Sequence, residues 1–177
     1  MSLDALVYTT EGIEQHERLE TALTSSGETW IDERDLEQTE LKTLRDRFDI
    51  HRLAVEDILD GQSRAKTEEY DTHTFVLMKT TELSQRDEVE FKKEVRTHSI
   101  GFFIGEDWLV TLSPSEVDTT EFIAAKWVNR AERLAERGTD FLAYRLIDSI
   151  VDDYFVVLDE IEANIEIVEE RILSDPD

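Results

Sequence analysis

The last third of the chain carries the feature that most restricts its fold. Ile147, Val151, Tyr154, Leu158, Ile161, Ile165, Val168 and Ile172 are separated by steps of 4, 3, 4, 3, 4, 3 and 4 residues. Apolar residues at that spacing form a heptad seam along an α-helix. At about 1.5 Å per residue, a helix over residues 140–173 is about 50 Å long. That is longer than a small domain can cover. Its first part can lie on a domain built by the preceding residues, but its far end must project into solvent or pack on another body. The spacing therefore predicts oligomerisation through, or beside, this helix. The pattern is still running at Asp175-Pro176-Asp177, which leads us to expect a longer reading frame.

Upstream, the apolar period changes from helical to alternating. Ala5 to Tyr8 and Thr29 to Ile31 read as strands, as do Thr74 to Thr81, Val95 to Ile104 and Trp108 to Leu112. Gly105-Glu106-Asp107 is placed to turn the last two into a hairpin, and the charged tract from Gln85 to Lys93 reads as a loop. Between strands, Leu19 to Leu23 reads as a short helix stopped by Ser25-Ser26-Gly27. Leu41, Leu44 and Phe48 give a helix over 39–48, and a further helix over 52–59 ends at Gly61. Ser113-Pro114-Ser115-Glu116 has the spacing of a capping box with proline at the first helical position. Ile123, Trp127, Ala131 and Leu134 then share one face, and Gly138 is placed to cap that helix. The expected fold is α/β, a mixed central sheet flanked by helices as an αβα sandwich. Residues 1–138 make the α/β domain, and residues 139–177 begin the long helix.

Composition excludes several functions. There are 19 basic and 43 acidic residues, a net charge of −24. Such a surface offers no cationic stripe from which nucleic acid or anionic lipid could release counterions. Six lysines against thirteen arginines, with acids spread along the whole chain, suit a protein of a high-salt organism, where screening relieves self-repulsion. Without cysteine there is no disulfide framework or thiolate site. No basic-then-apolar leader opens the chain, and no run approaches the roughly 18 apolar residues of a spanning helix. The chain as it stands reads as soluble. His16, His51, His73 and His98 form no i, i+4 pair, the six glycines are not grouped, and no nucleophile elbow occurs. No catalytic residue is assigned. Paired acids such as Glu56-Asp57, Glu68-Glu69 and Asp152-Asp153 are of the type that hard divalent ions use, yet acids are so abundant that spacing alone does not single one out.

Two segments go further. The run His51-Arg52-Leu53-Ala54-Val55-Glu56-Asp57-Ile58-Leu59, followed by Arg64-Ala65-Lys66 and Tyr70 to Lys79, resembles the signature of the CorA family of divalent-cation channels. So does Tyr144-Arg145-Leu146-Ile147-Asp148-Ser149-Ile150-Val151-Asp152-Asp153-Tyr154-Phe155, which opens the stalk helix in that family. With Trp30-Ile31-Asp32, the resemblance covers essentially the whole chain; it departs at Ala65, where the family has proline.

The resemblance implies the cytosolic regulatory domain of a channel for Mg2+, with Co2+ or Ni2+ as further ions. The whole protein would be a homopentamer at the cytoplasmic face of the cell membrane, with its membrane helices and Gly-Met-Asn pore signature beyond residue 177. It implies Mg2+ as a weakly bound regulatory ligand between subunits, held by Glu56, Asp57 and Asp148 together with a later acid of the stalk. Residues 1–177 alone would be a monomer or part of such an assembly. A zinc-transporting relative and an acidic oligomerising scaffold without transport are the competing readings, and a metal-dependent hydrolase lacks the ligands.

Overall fold

The computed structural model describes residues 2–9, 12–16, 19–24, 27–34, 38–85, 93–114 and 137–174. Strands β1 (Ser2–Thr9), β2 (Gly12–His16) and β3 (Glu28–Arg34) come first, with the one-turn α1 (Leu19–Ala22) between β2 and β3. Helices α2 (Gln38–Phe48) and α3 (Arg52–Asp60) follow. Then come β4 (Lys66–Glu69), β5 (Thr74–Gln85), β6 (Lys93–Ile104), β7 (Trp108–Ser113) and the long α4 (Gly138–Ser174). The strands form one seven-stranded sheet in the order β2-β1-β3-β7-β6-β5-β4. Every neighbouring pair is antiparallel except β3 and β7 at the centre.

Side chains that alternate along the strands divide into two cores. On one face, Ile31, Phe75, Leu77, Phe103, Val110 and Leu112 pack with Leu41, Leu44 and Phe48 of α2 and Ala54, Val55 and Ile58 of α3. On the other, Trp30, Ile100, Phe102 and Leu109 pack with Leu142, Ala143, Leu146 and Ile150 of α4. The molecule is thus a three-layer sandwich, as the alternating pattern predicts. Gly101 brings α3 close to the sheet, because a Cβ there would lie 2.2 Å from Ile58 Cδ1.

The helix starts and stops have local causes. His51 caps α3, its Nδ1 accepting from the Leu53 N–H at 3.2 Å, and Gly61 ends the helix with φ 66°. At the start of α4, Thr139 is buried and its hydroxyl donates to the Gly105 carbonyl at 3.0 Å. That bond ties the helix to the β6–β7 turn, where Gly105 N–H also donates to Trp108 O at 2.8 Å. Gly138 has φ 85°, the left-handed conformation expected of it, although the helix that it is placed to cap lies outside the described residues. So do Ile123, Trp127, Ala131 and Leu134 and the interior of the charged tract, residues 86–92. Strands β2 and β4 lack the β-rich composition that marks the others, and the sequence pattern does not anticipate them. The ladder of β5 and β6 runs on to the pair Gln85 and Lys93, so the ends of the expected loop are strand.

The seam of α4 is only partly the surface that packs on the sheet. The buried stripe is Leu142, Ala143, Leu146, Ile150 and Val157. Ile147 and Tyr154 lie at its edge, against the second core. Val151, Leu158, Ile161, Ile165, Val168 and Ile172 are exposed. After Val157 no described residue of α4 is buried, so residues 158–174, about 25 Å of helix, run clear of the sheet.

Candidate acidic site and family membership

Helix α3 buries Ala54, Val55 and Ile58, and the remainder of its wheel follows. Glu56 is turned away from the sheet, and among the described residues it pairs only with Arg52 one turn earlier, at 2.7 Å. Asp57 falls on the flank that faces β4, where it is partly buried. Ser63 Oγ donates to Asp57 Oδ1 at 2.8 Å, and Lys66 Nζ lies 2.6 Å from Oδ2. Lys66 also reaches Glu68 Oε1 at 2.7 Å, and the Tyr70 hydroxyl donates to Glu68 Oε2 at 2.8 Å. Hydrogen bonds from Lys66 and Ser63 hold the Asp57 carboxyl below the usual range, and those from Lys66 and Tyr70 do the same for Glu68. Hydrogen bonds to the two carboxylates push the Lys66 ammonium up to about 12. The sequence does not single out Lys66 and Glu68 as site residues. The match of a strand lysine to a helix acid becomes visible only when the β4 edge is folded beside α3.

Asp148 sits on α4, about 200° around the helix from the buried Leu146 and Ile150, and pairs with Arg145 at 2.9 Å. Since α3 and α4 cover opposite faces of one sheet, the chain does not bring Glu56 and Asp57 together with Asp148. Among the described residues no group of three or more histidine or acidic side chains converges as a metal site. Oxygen donors are the right kind for Mg2+, but each oxygen of Asp57 already has a partner.

The Trp30-Ile31-Asp32 motif proves structural. Trp30 Nε1–H donates to Thr111 Oγ1 at 3.1 Å, and the Thr111 hydroxyl donates to Asp32 Oδ1 at 2.5 Å. All three are buried. The relay joins the two parallel strands under α4.

Lys79 connects the two faces. Its ammonium donates to Gly61 O at 2.7 Å, at the C-terminus of α3, and to Ser99 Oγ at 2.8 Å. Its own carbonyl accepts from the Tyr154 hydroxyl of α4.

The family model described as "CorA-like Mg2+ transporter protein" matches residues 25–177. The chain belongs to that family. Among curated relatives, the cobalt/magnesium transport protein CorA of Thermotoga maritima is 26% identical over 154 residues, covering 86% of this chain and 42% of the relative. The CorA-like chain thus spans about two-fifths of that relative's length. Among solved structures, the complete CorA magnesium transporter of Methanocaldococcus jannaschii superposes with a TM-score of 0.73 at 20% identity, over 100% of this chain and 53% of the other. The ZntB cytoplasmic domain of Vibrio parahaemolyticus superposes with a TM-score of 0.67 at 14% identity, over 94% and 65%. These two likenesses show a fold shared with parts of both structures. No helix among the described residues is long and apolar enough to cross a membrane.

Proposed function

We propose that this chain is the cytosolic regulatory part of a CorA-type channel for Mg2+ or Co2+, and that it senses intracellular divalent cations between subunits. The observation that supports this reading best is the separation of its acids. Glu56 and Asp57 lie on one side of the sheet and Asp148 on the other. A cation that engages both sets therefore has to sit between two copies. Facing carboxylates repel, and a divalent ion turns that repulsion into a bridge. Its occupancy shifts the balance between closed and splayed assemblies by its differential affinity for them. Mg2+ keeps most of its waters, so a few carboxylates suffice for a weak regulatory site. The exposed seam of α4 supports a homo-oligomer, a pentamer in the whole protein at the cytoplasmic face of the membrane. The likeness to ZntB is one of fold and does not favour zinc.

Molar mass by light scattering in high KCl tests this reading. A mass that rises toward five subunits on adding Mg2+ is the expected result, and Asp57→Asn with Asp148→Asn should abolish the rise. A double variant that still responds fully removes these acids from the sensing role.

A further inference from the structure

The four carboxylate oxygens of Asp57 and Glu68 are all engaged from within the chain: one by Ser63, two by Lys66 and one by Tyr70. The ammonium of Lys66 bridges an acid on a helix to an acid on an edge strand, which is the position a bridging cation takes. The three side chains are only about a third exposed, with Asp57 at 28%, Lys66 at 33% and Glu68 at 39%. The local charge is −2 from the acids and +1 from the lysine. A divalent ion therefore neutralises the pair only if the lysine leaves; with the lysine in place, the same ion produces a local excess of positive charge. Glu56, one residue away, has no such partner from another element among the described residues and pairs along its own helix.

We infer that Lys66 is a resident counter-ion that competes with the divalent cation for Asp57 and Glu68, so that binding is an exchange of lysine for metal. This rests on the reading that Asp57 meets a divalent cation. It adds Glu68 to the acids involved and makes Lys66 the residue that keeps the affinity low. Because the ion must first displace the ammonium from both carboxylates, binding is weakened by roughly tenfold. Loss of the lysine should restore that factor. Ion pairs that keep this much access to solvent contribute little to stability, so the fold survives the change.

The experiment is a titration with Mn2+, read by the electron paramagnetic resonance of the free aqua ion, on the wild type and on Lys66→Gln, Lys66→Arg and the pair Lys66→Gln with Asp57→Asn. Lys66→Gln should bind roughly tenfold more tightly than wild type. Lys66→Arg should stay weak, and Asp57→Asn should cancel the gain. Equal affinity in wild type and Lys66→Gln, or no binding by either, overturns the assignment. A second measurement needs no substitution: reductive methylation of the wild type, read by mass spectrometry, should label Lys66 faster at saturating Mn2+, and unchanged or slower labelling also overturns it. Tighter binding by Lys66→Gln with no change in molar mass would retain Lys66's role and remove the bridging of subunits.

Discussion

Glu33 on β3 shows how strongly one residue can tie this fold to pH. Its side chain is 1% exposed, and its Oε2 has no hydrogen-bond partner among the described residues. Burial, then the charge of Glu40 and the hydrogen bond to it, then the charge of Asp32, push its carboxyl up to about 8. The folded chain therefore keeps a proton that the unfolded chain releases near 4.5. Between those values the native state binds more protons, so this contribution is full below about 4.5 and is lost as pH rises toward about 8. Glu33→Gln should raise stability at neutral pH by about 1 kcal/mol or more, roughly 2–4 °C in Tm, and flatten the alkaline decline. Thermal melts over that pH range check it; an unchanged slope refutes it. His73 acts with the opposite sign. It is buried, its Nε2 lacks a partner among the described residues, and burial lowers its pKa, against a smaller raising effect of Asp49. Protonation on acidification therefore favours the unfolded chain, and His73 contributes less as pH falls below about 6.5.

At the scale of elements, the connection through Lys79 carries most consequence. The residue holds the C-terminal turn of α3 with its side chain and receives α4 through its carbonyl, so one strand position fixes both helices that bear the candidate acids. Lys79→Met strips a charged donor from Gly61 O and Ser99 Oγ and should lower stability by about 1–3 kcal/mol. Tyr154→Phe removes a neutral donor and should cost about 1 kcal/mol. Urea unfolding gives both values, and amide exchange should quicken in α3 in Lys79→Met alone. If exchange in α3 is unaffected, the lysine does not anchor that helix. The sequence places α3 and α4 well, because capping residues, Gly61 and the apolar period act locally. It could not indicate Lys79, whose partners are 18, 20 and 75 residues away.

For the whole molecule, a net charge of −24 on 177 residues sets a self-repulsion that salt relieves. The Debye length falls from about 10 Å at 0.1 M to about 3 Å at 1 M. Tm should climb with KCl over that range by several degrees or more, and a flat or falling Tm would count against the salt-adapted reading of the acids. What the sequence by itself determined was local or periodic: the helix limits, the two-sided strands, the heptad seam and the motifs of the CorA-like family. Each depends on residues near one another in the chain, where spacing translates directly into geometry. Only the tertiary structure decided the rest. Weakly patterned β2 and β4 are strands because neighbours supply their hydrogen bonds. Leu146 and Ile150, each one position from a seam residue, meet the sheet together with Leu142. Asp57 is matched to Lys66 across a helix and an edge strand, and Asp148 is carried to the opposite face. Those outcomes depend on which surfaces pack together, and packing joins residues that spacing along the chain does not relate.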